Sequence, residues 1–182
     1  MLRIFDIFLS FTGIIILSPI FVVLFILGFF DTGSPIFFQK RIGKSKQIFV
    51  LLKFRTMIPK TKSIATHLVD PSSVTKYGKF LRKSKLDELP QLYNVLIGEM
   101  SLVGPRPNLL NQKELIKERD ILGIYRFRPG ITGLGQINKI DMSYPKLLAQ
   151  KDCEMIKNLG TYNYFKIIFR TLFGKGFGDN IN

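Results

Sequence analysis

An uninterrupted apolar stretch near the N-terminus constrains this chain more than any other feature. Residues 7 to 30 contain no charged side chain, and Asp6 and Asp31 bound them. A continuous helix of this length would measure about 36 Å, enough to cross a hydrocarbon core of about 30 Å. The stretch exceeds the apolar part of a typical secretory signal, and residues 28 to 32 offer no small-residue cleavage pattern. We therefore predict a retained membrane anchor.

Ser18 and Pro19 lie near the middle of this stretch. Proline lacks the backbone N–H and clashes with the carbonyl four residues earlier, so we expect the helix to bend there. The residues alone leave two arrangements open: a kinked span that crosses the membrane, and a re-entrant hairpin whose ends return to the same leaflet. In a hairpin the freed backbone groups still need partners, and the Ser18 hydroxyl is a candidate for one of them.

Most of the positive charge follows the apolar stretch. The 182 residues carry 27 Lys and Arg against 13 Asp and Glu, a formal charge of +14. Residues 32 to 86 hold thirteen of the basic side chains and a single acid, Asp70. Because positive flanks stay cytoplasmic, we expect this part of the chain to face the cytosol. The basic strip suits anionic lipid head groups, which composition favours, or a polyphosphate site.

Composition excludes several classes of protein. With 46% hydrophobic residues and a mean hydropathy of +0.18, the chain is not a disordered basic tail. The single Cys153 excludes an internal disulfide framework, and the single His67 excludes a Cys/His zinc cluster. Only the charge suggests a membrane-tethered nucleic-acid binder, and no recognition motif accompanies it, so we do not expect nucleic acid as a partner.

Residues after the anchor predict a mixed domain without an internal repeat. Apolar runs at residues 36–40 and 47–54, around a turn at residues 43–45, predict a β-hairpin. Residues 59–75 predict an irregular loop. Proline and glycine predict two further loops, over residues 103–107 and 128–133.

Apolar residues at helical spacing predict the remaining elements. One helix is expected from Leu86, with Ser84 as its N-cap and Gly98 as its stop. Other helices are predicted over residues 77–83, 111–120 (on the surface), 152–159 and 162–172. The last helix is amphipathic, and its apolar stripe fits either a core or, beside an anchor, the membrane interface. That stripe consists of Phe165, Ile168, Phe169 and Leu172, with Lys166, Arg170 and Lys175 near the other side.

Two adjacent carboxylates, Asp87 and Glu88, follow the basic strip. Acidic residues in a first helical turn also stabilise a helix through its macrodipole, so the pair alone is a weak signal. Nearby arginines favour phosphoryl chemistry, in which one carboxylate attacks phosphorus or binds a metal and guanidinium groups bind phosphate oxygens. These arginines are Arg82, Arg106 between two prolines, and Arg126 and Arg128 before a glycine-rich loop. The residues themselves thus predict a membrane-surface site for phosphorylated substrates.

A set of ordered motifs extends this interpretation. They are GSPIFF at 33–38, KFRTM at 53–57, LDELPQL at 86–92, NVL at 94–96, GEMSLVGPRP at 98–107 and RPGITG at 128–133. Together they closely resemble the bacterial sugar transferase family, the monotopic phosphoglycosyl transferases. The resemblance runs from the region of Arg3 to about Asn158 and looks like the minimal catalytic form, without the extra N-terminal regions of larger members.

The resemblance implies an activity and its cofactor. Family members transfer a sugar 1-phosphate from a UDP-sugar to polyprenyl phosphate, usually undecaprenyl phosphate, with Mg²⁺ and release of UMP. This is the first membrane step of surface glycan assembly, as in O-antigen or capsule, and downstream glycosyltransferases would act next. The family mechanism is ping-pong, so Asp87 would be the nucleophile that attacks the β-phosphorus, and Glu88 its partner at the metal. The matched basic residues expected at the phosphates are Arg82, Arg106, Lys53, Arg55 and Arg128.

The resemblance also implies the fold and location. It favours the re-entrant hairpin, with residues 1–31 as a membrane helix broken at Ser18-Pro19. Residues 32–182 would form a compact cytosolic catalytic domain. The fold class is α+β, mostly helical, with a small β-hairpin and interfacial amphipathic helices. The protein would be monotopic in the bacterial inner membrane, in contact with its lipid, with the catalytic domain on the cytosolic face.

Five residues, in three places, depart from the family pattern. Lys139-Ile140 replace the usual Gly-Arg, Glu154-Met155 replace a tyrosine pair, and Phe165 stands where an aspartate usually precedes the basic residue. They lie away from the carboxylate pair, so we expect effects on substrate preference or local packing. The alternative function is a catalytically inactive basic scaffold on the membrane surface within a glycan-assembly complex. The intact carboxylates and their arginines disfavour it.

Overall fold

The apolar stretch forms a single helix, α1 (Leu2–Thr32), which continues through Pro19. The structure is a computed structural model, and it describes residues 2–59 and 70–173. The Ser18 hydroxyl donates to the carbonyl of Ile15 at 2.8 Å. That carbonyl is the one left without its usual donor, because Pro19 has no N–H. The prediction that Ser18 satisfies a freed backbone group is confirmed.

One face of α1 packs on the rest of the domain along most of the helix. Asp6, Ser10, Leu24 and Gly28 are buried, and their spacings of 4, 14 and 4 residues place them on one helical face. The N-terminal half packs against a core cluster of α-helices and the C-terminal half against a second one near the β-hairpin. The other face exposes large apolar side chains. By length and composition α1 could cross a membrane; the domain boundary at residue 31 and the re-entrant path stay predictions.

The predicted β-hairpin is confirmed. Strand β1 (Ile36–Ile42) pairs antiparallel with β2 (Ile48–Phe54). A 3-10 turn at Lys44–Lys46 joins them. On β2, Phe49 and Leu51 are buried and belong to one core cluster. The next side chain with the same orientation is Lys53, which is also buried, so the hairpin carries a lysine into the interior.

The prediction of one helix from Leu86 to Gly98 is wrong in its first half. Helix α2 (Lys76–Ser84) is followed by a 3-10 turn, Leu86–Glu88, and then by α3 (Gln91–Ile97). Pro90 separates the turn from α3, because a proline fits the start of a helix but not its interior.

The two residues predicted to cap that helix have different outcomes. Ser84 is not an N-cap: it ends α2, and its hydroxyl donates to the carbonyls of Phe80 and Leu81. Lys85 follows in the left-handed conformation, with φ of 59°. Gly98 does end α3, with φ of 94°. The predicted stop is therefore confirmed.

A second pair of strands was not predicted from the sequence. Strand β3 (Ser101–Val103) pairs in parallel with β4 (Gly130–Thr132), which lies inside the segment predicted as a loop. A Cβ added to Gly130 would lie 2.0 Å from the backbone nitrogen of Gly104. The two backbones approach so closely that Gly104 and Gly130 have no room for a side chain. This approach brings residues 103–107 beside residues 128–133.

The remaining helices complete an α+β fold that is mostly helical, as predicted. They are α4 (Lys113–Ile121), α5 (Leu134–Ile137), α6 (Pro145–Lys157) and α7 (Thr161–Leu172). Helix α6 begins earlier than expected, because Pro145 suits a first helical turn. On α7 the buried residues are Tyr164 and Ile167, whereas Phe169 and Leu172 of the predicted stripe are exposed. Lys175, and residues 60–69 of the predicted loop, lie outside the described residues.

Candidate active site

The carboxylate pair lies in the 3-10 turn between α2 and α3. Asp87 is almost fully buried, with 2% of its surface exposed. Lys85, just before the turn, donates its ammonium to the carbonyl of Thr171 at 3.2 Å. Burial lowers the pKa of Lys85, and the carboxylate of Glu88 opposes that shift. The turn is thus enclosed by protein on the side of α7.

Two basic side chains converge on one oxygen of Glu88. Lys53 Nζ lies 3.4 Å and Arg106 Nη2 lies 3.1 Å from Glu88 Oε1. Lys53 comes from β2, and Arg106 comes from the loop that follows β3. We call these three residues the Glu88 cluster. Two cations therefore share one carboxylate oxygen, and their N–H groups are of the kind that also bind anionic ligands.

The Glu88 cluster borders a small cleft that opens to solvent. Arg41 and Gln91 also line this cleft. The Arg41 guanidinium donates to the carbonyl of Pro107 at 2.9 Å. Gln91 is buried, and its amide nitrogen has no hydrogen-bond partner among the described residues. Sequence reasoning did not select either residue, although Arg41 lies in the basic strip and Gln91 within the LDELPQL motif.

A buried ion pair holds the backbone of the Arg106 loop. Arg119 Nη2 and Nε lie 2.6 and 3.0 Å from Asp152 Oδ2, and each side chain is only 2% exposed. Arg119 Nη1 donates to the Arg106 carbonyl at 2.8 Å and to Asn108 Oδ1 at 3.1 Å. Burial raises the pKa of Asp152, and the Arg119 guanidinium opposes that shift. The surface helix predicted over residues 111–120 gave no sign that one of its arginines is buried.

The other three predicted phosphate-binding residues are not among those that line this cleft in the described part of the chain. Arg82 Nε donates to the Thr56 hydroxyl at 2.9 Å. Arg55 Nε donates to the Ser34 carbonyl at 2.8 Å, near the exit from α1. Arg128 Nε donates to the Gly98 carbonyl at 2.7 Å, at the end of α3.

Of the five predicted basic residues, only Lys53 and Arg106 are among those that line the cleft, as far as the chain is described. The phosphate-binding roles of all five stay predictions. So do the catalytic and metal-binding roles of Asp87 and Glu88.

A Mg²⁺ ion at the turn would need ligands from a substrate as well as from Asp87 and Glu88. Within residues 2–59 and 70–173, no group of three or more His, Cys, Asp or Glu side chains could hold a metal ion. Mg²⁺ commonly binds through one or two carboxylates together with substrate phosphates, rather than in a cage made by protein alone. The adjacent carboxylates of Asp87 and Glu88 suit that arrangement.

Comparison with known proteins identifies the family. A family model described as bacterial sugar transferase matches residues 1–176. The exopolysaccharide production protein ExoY of Rhizobium meliloti is 35% identical, over 93% of this chain and 83% of its own length. The undecaprenyl-phosphate galactose phosphotransferase of Salmonella typhimurium is also 35% identical, over 93% of this chain but 39% of its own length.

A third relative is the UDP-glucose:undecaprenyl-phosphate glucose-1-phosphate transferase of Klebsiella pneumoniae. It is 36% identical, over 96% of this chain and 40% of its own length. The chain therefore spans about two fifths of these last two relatives and most of ExoY. The family predicted from the motifs is confirmed, and the chain belongs to the bacterial sugar transferases.

Proposed function

We propose that this chain transfers a sugar 1-phosphate from a UDP-sugar to polyprenyl phosphate, and that UMP is released. The observation that carries the proposal is the convergence of Lys53 and Arg106 on Glu88, beside the buried Asp87. Two relatives are named for undecaprenyl phosphate as acceptor, and one of these is named for UDP-glucose as donor. The donor class and the acceptor come from these names together with the family.

Charge supports a diphosphate as the ligand of the cleft. Arg41, Lys53 and Arg106 line the cleft together with one carboxylate, Glu88. Phosphate oxygens accept the same hydrogen bonds from lysine and arginine that a carboxylate accepts. A diphosphate would therefore take over Lys53 and Arg106 from Glu88 Oε1 and free that carboxylate. Mg²⁺, held by Asp87 and Glu88 with the diphosphate, would neutralise the charge of the phosphate oxygens.

The first half-reaction is a displacement at phosphorus. An Asp87 carboxylate oxygen forms a bond to the β-phosphorus, while the bond from that phosphorus to the bridging oxygen breaks. UMP leaves with that electron pair, and the sugar phosphate stays on Asp87 as an acyl phosphate. Lys53 and Arg106 hold the phosphate oxygens, and such positioning and charge stabilisation supply most of the catalysis in phosphoryl transfer.

The second half-reaction restores the enzyme. A phosphate oxygen of the polyprenyl phosphate forms a bond to the same phosphorus, and the bond to the Asp87 oxygen breaks. The products are a polyprenyl diphosphate-linked sugar and a free Asp87 carboxylate. Both half-reactions use one site, because the phosphorus is never released between them.

Both ends of α1 bind the same domain, which supports a monotopic placement. Asp6 Oδ1 accepts hydrogen bonds from the Ser101 hydroxyl, the Leu102 N–H and the Tyr164 hydroxyl, at 2.8 to 2.9 Å. Near the other end, the Tyr77 hydroxyl donates to the Leu24 carbonyl at 2.7 Å. A helix tied at both ends to one domain would return to the leaflet it enters. Because residues 32 to 86 carry thirteen basic side chains and one acid, we propose that the catalytic domain lies on the cytosolic face of the bacterial inner membrane.

Labelling tests this placement. A single cysteine is introduced at Leu2 in a Cys153→Ser background, and intact spheroplasts are treated with a membrane-impermeant maleimide. We expect labelling only after lysis. Labelling of intact spheroplasts would contradict the monotopic placement while leaving the proposed chemistry untouched.

Release of UMP tests the proposed reaction. Membranes that contain the full chain are incubated with Mg²⁺, undecaprenyl phosphate and a panel of UDP-sugars. We expect one or more donors to release UMP, and we expect Asp87→Asn to abolish the release. Asp120→Asn is the matched control, because Asp120 is an exposed acid that pairs only with Lys46 among the ion pairs described. No release with any donor would contradict the proposal and favour the inactive scaffold.

A further inference from the structure

The loop that carries Arg106 is held through its carbonyl groups. Pro105 and Pro107 flank Arg106 and have no N–H to donate. The Pro105 carbonyl accepts from the Gly130 N–H at 2.9 Å, and the Pro107 carbonyl accepts from Arg41 at 2.9 Å. The carbonyl between them, that of Arg106 itself, accepts from Arg119 at 2.8 Å. Each of the three successive carbonyls is thus tied to a different part of the fold.

Arg119 is the deepest of these donors and is itself fixed. Its guanidinium donates to three groups: the Asp152 carboxylate, the Asn108 side-chain oxygen and the Arg106 carbonyl. Tyr125 donates to the same oxygen of Asn108 at 3.1 Å. Asp152 lies on α6 and Arg119 on α4, so the pair joins two helices to the loop. The planar fork of arginine suits this set of acceptors, and the compact ammonium of lysine does not.

Stability alone does not account for such a pair. Taking two charges out of water carries a large desolvation penalty, and apolar side chains of similar volume often stabilise a protein as well or better. What an apolar pair cannot do is donate to the Arg106 carbonyl. That contact fixes the backbone from which the Arg106 side chain reaches Glu88 Oε1, at 3.1 Å.

We propose that Arg119, fixed by Asp152, is a positioning residue that sets the place of Arg106 at the donor phosphates. This inference rests on the proposed function, in which Arg106 binds the donor. It assigns to α4 and α6 a part in donor binding, although neither helix supplies a side chain to the lining of the cleft within the described chain.

A double-mutant cycle between Arg119→Lys and Arg106→Ala tests the proposal. Each single variant and the double variant are assayed for UMP release and for binding of UDP with Mg²⁺. The melting temperature of each variant is also measured. A misplacement of about 1 Å at a reacting group can lower activity by about 100-fold, so we expect Arg119→Lys to lower kcat/KM at least tenfold. In the Arg106→Ala background we expect the same substitution to change kcat/KM and UDP affinity less than about twofold, because the side chain it positions is gone.

Stability is the readout that separates positioning from a structural role. We expect Arg119→Lys to lower the melting temperature by a similar amount with and without Arg106. Asp120→Asn is the matched control, since it removes an exposed ion pair from the same helix without touching the Arg106 loop. That control should leave kcat/KM within about twofold of the wild-type value.

Two results would overturn the proposal. One is a loss of kcat/KM from Arg119→Lys that is just as large in the Arg106→Ala background. The other is wild-type kcat/KM in Arg119→Lys despite a lower melting temperature. If Arg119→Lys does not fold, Asp152→Asn, which keeps the shape of the pair, takes its place in the cycle. Failure of the proposed function would look different, because Arg106→Ala alone would then leave UDP binding unchanged.

Discussion

Two ionic groups contact Arg106, one through its side chain and the other through its backbone carbonyl. They differ in composition and in burial. In the Glu88 cluster the Arg106 side chain and Lys53 share one carboxylate, at 3.1 and 3.4 Å, and the cluster borders an open cleft. In the Arg119–Asp152 pair the charges match one to one, at 2.6 Å, and both side chains are 2% exposed. The first group joins two cations to one carboxylate and borders the cleft, and the second does neither.

The difference shows how one short loop serves two purposes. The backbone of Arg106 is held by a pair that is already satisfied, whereas its side chain belongs to a cluster that, in the proposed function, exchanges its acceptor for phosphate. Breaking a buried pair leaves an uncompensated charge, which costs stability. The side chains of the Glu88 cluster are 9–19% exposed and border the cleft, so we expect breaking it to cost less stability and to affect binding and activity more.

The largest effect on stability should come from Asp152→Ala. This substitution leaves the Arg119 guanidinium buried without its carboxylate, and the expected loss is about 3–5 kcal/mol. For a chain of this size that loss corresponds to a fall in melting temperature of roughly 6–20 °C. Thermal unfolding of the purified chain in detergent measures it, and a fall of less than about 2 °C would show that the pair does not hold the fold.

Glu88→Gln should reverse that pattern. Glutamine keeps a side-chain oxygen but loses the charge. It therefore cannot bind Mg²⁺ or take part in the reaction as the carboxylate would. We expect kcat/KM to fall about 100-fold, or about 2.7 kcal/mol, and stability to change by about 1 kcal/mol or less. UMP release and melting measured on the same preparation give both values. A large stability loss with nearly normal kcat/KM would erase the contrast between the two groups.

Lys53→Met should have the smallest effect of the three. Methionine keeps much of the apolar volume of the buried lysine stem and removes one of the cations at Glu88. We expect UDP to bind about tenfold more weakly, because one charged hydrogen bond contributes about 1.5–3 kcal/mol, and part of it is recovered by Arg106. Calorimetric titration with UDP and Mg²⁺ measures the change. An unaltered affinity for UDP would show that Lys53 pairs with Glu88 but does not contact the bound nucleotide.

The sequence could predict those features of the fold that depend on local rules. The hairpin, the stop at Gly98 and the role of Ser18 beside Pro19 depend on local rules, and all three were predictable. The helix expected from Leu86 was wrong because the leucine spacing outweighed Pro90, which has to stand at a helix start. Local periodicity describes which face of a segment is apolar, but not where a proline divides it.

The buried pair could not be predicted, because it depends on tertiary contacts. Arg119 and Asp152 are 33 residues apart, and each stands in a helix of mixed polarity that resembles a solvated one. In contrast, Glu88, Lys53 and Arg106 lie inside matched motifs, which is why they were selected. Motifs thus indicated the residues expected to meet the substrate, and the structure was needed to find what holds one of them in place.

The most direct test of the proposed chemistry is to stop the reaction after its first half. The chain is incubated with Mg²⁺ and a donor that supports UMP release, without polyprenyl phosphate, and is then examined by intact-mass and peptide mass spectrometry. We expect added mass equal to one sugar phosphate on the peptide that contains Asp87, and none on Asp87→Asn. Stoichiometric release of UMP without such an adduct, or with the adduct on another residue, would contradict the account.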